Sequence, residues 1–424
     1  MLTKALRLIV AHKPDKYSFV PFDGSGIDFF SLPQELGLYI HIPFCRSICP
    51  YCPYNKILYD KALANQYYTA ILNEFELYLP FLKGKELTSI YIGGGTPTLM
   101  IEQLTLLLSK IKSQTGFNGD IGIEIHPHEA KPEIFAKVKQ ANINLVSIGV
   151  QSFNSSSLCF LERGYDSEKS HQAVMHAIGA KFDTVDIDLM YNIPGQTEKD
   201  IKEDLTSCLL YGVDQVSIYP LIIFPLTPLH EKMLSTNTQR FSEIEEYKLQ
   251  KTLDKIATSF GYERTSIWTY AKKNTKRYTS VTRETFLGLG ASATSLYNDY
   301  FYLNTFSVED YIKTVGAKRF PISLVNYMNT REKQVFWLFW RCYDTVIPRQ
   351  KFCELFGTSL DKNFPLLVSI LKLCGLAKDD GATLKLTGLG SFCYHFIEKQ
   401  YSLKYLNALW EESMKNSWPK RLDL

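Results

Sequence analysis

From Gly37 to about Pro220 the chain repeats one pattern: a short apolar run, a turn, then a longer amphipathic stretch. The apolar runs are Leu38–Ile42, Ser89–Ile92, Ile121–Ile125, Leu145–Val150, Thr184–Leu189 and Gln215–Tyr219. Runs of this length bounded by turn residues read as buried strands. The stretches between them, among them Leu63–Leu82, Ile101–Lys112, Pro132–Ala141, Ser167–Ile178 and Glu198–Tyr211, carry helical periodicity. In the first, Tyr68, Ile71, Leu72 and Phe75 fall at i, i+3, i+4 and i+7, one face of a helix. Strands alternating with helices predict an α/β fold, a parallel sheet joined by right-handed crossovers. In such folds functional groups collect at the C-terminal ends of the strands.

The flanks differ. Residues 1–36 hold prolines, glycines and aromatics without periodicity and are expected to pack on the sheet as an extension. Asp254 to Tyr270 reads as helix, turn and strand. Helical patterns at Arg331–Tyr343, Arg349–Phe356 and Phe364–Cys374 precede a stretch in which Asp380-Gly381 marks a hairpin turn. Helices followed by a hairpin predict a winged-helix-like module, and residues 397–424 read as a helical, aromatic-rich tail.

Composition narrows the picture. With 424 residues and 45% hydrophobic content the chain can bury a large core, enough for about two or three domains. The 47 basic and 44 acidic residues nearly cancel, and the winged-helix-like module shows no basic recognition helix, so nucleic acid is not the expected partner. No run of apolar residues reaches membrane-spanning length. The N-terminus lacks a small-residue cleavage site and reads as mature protein. Of nine cysteines, Cys159, Cys208, Cys342, Cys353, Cys374 and Cys393 are scattered; they are expected as small core residues of a cytoplasmic protein.

The remaining three cysteines carry the chemistry. Cys45-Arg-Ser-Ile-Cys49-Pro-Tyr-Cys52 follows the first apolar run, and Pro43, Pro50 and Pro53 keep this loop out of a helix. Iron–sulfur clusters are held by thiolates, normally four for a 4Fe-4S cluster; three leave one iron open for chemistry. A structural or zinc-binding trio is the alternative. The second strand ends in Gly93-Gly94-Gly95-Thr96-Pro97-Thr98, where missing side chains let backbone amides approach a ligand, or simply make a tight turn. In the third, Glu124, His126 and His128 alternate, and a metal site is the competing reading; Pro127 argues that the strand ends there. A carboxylate inside a barrel needs a partner.

CxxxCxxC after YIHIPFC, with GGGTPT, Ser147-Ile-Gly149-Val-Gln151-Ser-Phe, Leu161-Glu-Arg163-Gly, Asp186-Ile-Asp188-Leu-Met-Tyr191 and Phe286-Leu-Gly288-Leu-Gly290, resembles the radical S-adenosylmethionine (SAM) superfamily. More narrowly it is similar to the oxygen-independent coproporphyrinogen III dehydrogenase (HemN/HemW-like) family over roughly residues 37–300. The resemblance implies a partial (β/α)6 barrel over 37–230, an α+β extension over 231–329 and the C-terminal module over 330–424. It implies a 4Fe-4S cluster on Cys45, Cys49 and Cys52 and one or two SAM molecules. Gly94, Gly95, Thr96, Glu124, Gln151 and Arg163 would position SAM, and Tyr39, Tyr51, Pro53 and Asp188 would line its pocket. It further implies a small-molecule substrate, porphyrin or heme among the candidates, and an electron donor such as flavodoxin or ferredoxin.

The chain departs from the family at three points. Tyr54 stands where the dehydrogenase has a fourth cysteine. Lys276–Arg283 lacks the histidine of the chaperone branch's H-N-x-x-Y-W. Asn192 replaces the glycine that usually follows Tyr191. A third branch, which transfers methyl or methylene groups with two SAM molecules, stays open beside the dehydrogenase and the heme chaperone.

Overall fold

The computed structural model describes residues 17–235, 240–279 and 285–424. The six predicted strands are all present: β1 (Glu35–Ile42), β2 (Glu86–Gly94), β3 (Asp120–Ile125), β4 (Leu145–Gln151), β5 (Thr184–Tyr191) and β6 (Gln215–Pro220). Each is parallel to the next. The crossover helices Lys61–Leu82, Ile101–Thr115, Pro132–Gln140, Ser167–Ala180 and Glu198–Tyr211 lie within a few residues of their expected bounds. Their starts are set by side chains: Asp60 and Asp166 accept N-terminal amides, and Thr197 with Asp200 forms a capping box. One such cap stabilises by about 1 kcal/mol.

The strands are two-faced. Ile40, Ile92, Ile123, Ile148, Ile187 and Ile218 are buried and share one core with helix residues such as Phe75, Leu104 and Leu205. Each such side chain contributes about 1.5–3 kcal/mol of burial. The alternate positions, including Tyr39, Tyr91, Glu124, Ser147, Asp188 and Tyr219, face a cavity.

The sheet continues on both sides to fourteen strands among the described residues. Beyond β6 lie Thr269–Lys272 and Tyr262–Ser266, antiparallel. Beyond β1 lies Phe286–Leu289, parallel, then an antiparallel run that ends with Ser18–Pro21 and Leu422–Asp423. The sheet is therefore an open, partial barrel. Its lower end is crossed by the segment after Lys272: Gln215 Nε2 donates to Tyr278 O (2.9 Å), and Lys276 pairs with Asp120 (2.9 Å) and Asp183 (3.0 Å).

Toward the C-terminus, helices Thr330–Tyr343, Arg349–Phe356 and Pro365–Leu373 join a three-stranded sheet (Val346–Pro348, Thr383–Leu386, Ala377–Asp379), the expected winged-helix-like shape. Its core, built on Leu338, Ile347, Phe352 and Leu384, also takes in Ile267 from the hairpin beside β6. Helix Gly388–Tyr401 then passes through one π turn, Ser402–Leu406, into helix Asn407–Lys415. No described helix is long and apolar enough to cross a membrane. The scattered cysteines need correcting: Cys208 is buried, but Cys159, Cys353 and Cys374 are exposed. Cys159 and Cys353 lie in the short helices Ser155–Phe160 and Arg349–Phe356, and Cys374 follows helix Pro365–Leu373; Arg349–Phe356 buries Phe352 and turns Cys353 outward.

Candidate active site

β1 delivers the cysteine loop. Phe44–Cys45 pairs with Ile57–Leu58, and the base is pinned by Ile57 N–H to Pro43 O (2.7 Å) and Tyr59 N–H to Cys45 O (2.8 Å). Inside the loop Cys52 N–H donates to Cys49 O (3.3 Å), and Lys56 Nζ donates to Cys52 O (2.6 Å). Cys45, Cys49 and Cys52 are free thiols lining one cavity of about 1330 Å³. Among the described residues no three His, Cys, Asp or Glu side chains converge on one metal ion. Three thiolates are one short of the four that normally close a 4Fe-4S cluster, which leaves one iron open. Donors are already aimed at the sulfurs: Arg163 Nη1 lies 3.3 Å from Cys49 Sγ and Thr96 Oγ1 3.8 Å from Cys45 Sγ. Burial pushes the Cys45 thiol up to about 11 and raises Cys52, so both shed a proton when they become ligands.

The glycine run acts otherwise than expected. Its amides are spent on the protein: Gly94 N–H donates to Glu124 Oε2 (3.0 Å), Gly95 N–H to Ile42 O (2.7 Å) and Thr96 N–H to Phe44 O (2.7 Å). The glycines instead permit contact. A Cβ on Gly95 would sit 2.6 Å from Phe44 O and 2.9 Å from Cys45 Sγ. At Gly94, with φ +117°, it would meet the His41 ring at 2.7 Å. Glu124 also accepts from Tyr91 Oη (2.6 Å), and burial raises its pKa. A carboxylate takes about four hydrogen bonds, so Glu124 retains acceptor capacity on the cavity wall.

Arg163 is buried and ties the loop to β4. It donates to Tyr51 Oη (3.1 Å), Gly149 O (2.7 Å) and Tyr165 Oη (3.0 Å) besides Cys49. Gln151 ends β4 with φ +69°, a left-handed conformation unusual for its type, and accepts from Tyr219 Oη (3.0 Å). Such conformations persist where neighbours over-determine them, often at functional sites. On β5, Asp186 accepts from Ser147 Oγ (2.9 Å) and Ser217 Oγ (3.1 Å), and Asp188 lies 3.3 Å from Ser147 Oγ. Burial, then the charges of Asp186 and Glu124, hold Asp188 well above the usual carboxylate range. Asn192 keeps the turn that glycine usually makes, with φ +59°, by accepting from Phe241 N–H (2.9 Å).

β3 ends at Ile125, as Pro127 implied, and His126 caps the following turn by accepting His128 N–H. The two imidazoles stack at 5.3 Å, and Glu124 is occupied by Tyr91 and Gly94. The three side chains therefore do not form a chelate.

Every residue expected at the site lines the same cavity: Tyr39, Tyr51, Pro53, Gly94, Gly95, Thr96, Glu124, Gln151, Arg163 and Asp188, with the three cysteines. Sequence reasoning missed Tyr91, Tyr219, Tyr165 and Ser147, which hold those residues in place. Strand alternation carried a signal for two of them, because Tyr91 lies two residues before Gly93 and Ser147 two before Gly149. It also missed the aromatic side chains Trp268, Phe339, Tyr401, Tyr405 and Trp410, which line the same cavity.

A partial α/β barrel with a CxxxCxxC loop above its first strand defines a radical SAM protein, and the superfamily model for that class matches residues 39–208. The heme chaperone HemW of Bacillus subtilis (strain 168) is 28% identical over 360 residues, 83% of this chain and 95% of the relative. HemW of Buchnera aphidicola subsp. Schizaphis graminum is 32% identical over 273 residues, 62% of this chain and 70% of the relative. The oxygen-independent coproporphyrinogen III oxidase of Escherichia coli (strain K12) is 27% identical over 309 residues, 67% of this chain and 66% of that protein. The solved structure of the Escherichia coli oxidase HemN shares the fold, with a TM-score of 0.75 over 89% of this chain and 92% of that one at 22% identity. The chain belongs to the HemN/HemW-like family of radical SAM proteins. Membership implies a 4Fe-4S cluster and SAM.

Proposed function

We propose that this chain is a radical SAM enzyme acting on a tetrapyrrole-like or other small organic molecule. Cys45, Cys49 and Cys52 hold the cluster; Gly94, Gly95, Thr96, Glu124, Gln151 and Arg163 seat SAM; Tyr39, Tyr51, Pro53 and Asp188 line its pocket. The observation that carries this reading is that all of them border one cavity. When bound, the cluster and SAM supply a single-electron cleavage to methionine and a 5′-deoxyadenosyl radical, with flavodoxin or ferredoxin as the electron source. The protein's part is placement and exclusion. The Glu124 carboxylate offers acceptors to an ammonium group, and Arg163 fixes the loop on β4. Aromatic side chains from the C-terminal helices that line the cavity keep water from a reactive carbon. A cavity of about 1330 Å³ exceeds the usual 300–1,000 Å³ of a ligand pocket, which supports a cluster and more than one organic molecule sharing it.

Tyr54, in place of a fourth cysteine, argues against coproporphyrinogen decarboxylation; its ring is tilted against that of Trp410 at 5.5 Å. The heme-chaperone reading is kept because the Bacillus subtilis relative spans nearly its whole length in the match. Of the segment compared with the chaperone's motif, residues 280–283 lie outside the described residues.

The test is anaerobic incubation of reconstituted protein with SAM and dithionite, with products resolved by mass spectrometry, and a parallel hemin titration. 5′-Deoxyadenosine is expected; S-adenosylhomocysteine beside it identifies the two-SAM methyl-transfer branch. Stoichiometric hemin binding with no 5′-deoxyadenosine would replace the enzyme by the chaperone.

A further inference from the structure

One wall of the cavity is built from the C-terminal helix. Gly388–Tyr401 continues into the π turn Ser402–Leu406. A π turn sacrifices regular hydrogen bonding and recurs at functional sites. Here it brings Ser402, Tyr405 and Leu406 onto the cavity, with Glu398 and Tyr401 from the turn before.

Glu398 is the unusual member. Ser402 Oγ donates to its Oε1 (3.1 Å), while Oε2 is buried without a hydrogen-bond partner. Buried polar atoms are nearly always satisfied, and an exception calls for a missing partner. Lys399, the adjacent cation, is engaged by Glu246 (3.1 Å). The cationic side chains among the described lining residues are spent elsewhere: Arg46 on Glu129, Lys56 on Cys52 O and Arg163 on the cysteine loop. Around Glu398 the wall is aromatic. Phe339 and Tyr401 rings lie 5.3 Å apart, Tyr401 and Tyr405 5.2 Å.

We propose that this wall is the substrate subsite for an organic cation: an aromatic molecule carrying a basic nitrogen, with Glu398 as counter-charge and Ser402 holding the carboxyl in place. The assignment rests on the reading of the cavity as a radical SAM site and names the substrate class within it. Aromatic faces attract cations through their quadrupoles, and one carboxylate beside them supplies the charge. Burial pushes the empty Glu398 carboxyl up to about 8, against the pull of Ser402 and Lys399. An arriving ammonium would bring it back to carboxylate.

The test uses two probes with the same ring and opposite charge, tryptamine and indole-3-propionate. They are titrated by calorimetry into anaerobic, cluster-reconstituted protein in the presence of SAM. Tryptamine is expected to bind on the order of tenfold more tightly, and Glu398→Gln to bring the two within about twofold. Equal or tighter binding of indole-3-propionate to the wild-type protein overturns the proposal without reference to any variant, as does a preference for tryptamine that survives Glu398→Gln. 5′-Deoxyadenosine formed by the wild-type protein without probe reports on the radical chemistry separately. Its absence beside an intact amine preference sinks the enzyme reading and leaves the cation subsite standing.

Discussion

His41 shows how one side chain sets the height of the cysteine loop. Asn55 O can only accept, so His41 Nε2 carries the proton (3.1 Å), and Nδ1 accepts from Tyr39 Oη (2.8 Å). This neutral form is fixed by burial, which lowers the imidazole pKa from 6.5 to about 4. A depressed histidine contributes stability that is complete above about 6.5 and is lost as pH falls through about 4. That window is worth roughly 3 kcal/mol, so urea midpoints of the wild-type protein should fall between these pH values more than those of His41→Gln. Tyr91→Phe removes a donor from Glu124. SAM affinity should drop roughly tenfold with iron content unchanged, checked by equilibrium dialysis; a loss of iron instead would make Tyr91 a structural support of the loop. The cysteine trio could be picked out by its spacing, whereas Glu124 and Arg163 were singled out by the family resemblance, and all five line the same cavity. Tyr219 and Tyr165 were not legible, because a tyrosine that supports a functional side chain looks the same in sequence as one that fills a core.

At the scale of elements, the loop and the glycine run are one unit. Gly95→Ala would force a Cβ against Phe44 O and Cys45 Sγ. We expect the purified variant to keep its helical circular dichroism and to lose its iron–sulfur absorbance; retention of the full cluster would show that the two segments can separate. All six barrel strands could be read from apolar runs, since their outward residues face helices. Their inner face could not, because polar residues there read as interruptions of a run rather than as a wall. The use of the glycine amides was also hidden: their acceptors, Glu124 Oε2 and Ile42 O, lie on two other strands. The π turn has no sequence signal either, since Ser402–Leu406 continues an ordinary amphipathic helix.

For the whole molecule the central relation is between barrel and C-terminal module, which face each other across one cavity. They are joined by a buried network: Trp268 Nε1 donates to His395 Nδ1 (2.7 Å), and Glu246 holds His395 (3.4 Å) and Lys399 (3.1 Å). Removing one partner of a buried pair costs about 3–5 kcal/mol. Glu246→Ala should therefore lower the melting temperature and speed amide exchange in Gly388–Tyr401 while the strands β1–β6 stay protected; uniform exchange would show that barrel and module unfold together. The sequence announced both bodies and the C-terminal module as a cover for the barrel, but not the side chains that join them, because Trp268 and His395 are 127 residues apart. The most direct test of the account is electron paramagnetic resonance of the dithionite-reduced, reconstituted protein with and without SAM. The account predicts a 4Fe-4S signal that shifts on adding SAM and disappears in Cys45→Ala. A signal indifferent to SAM, or one that survives loss of Cys45, would contradict it.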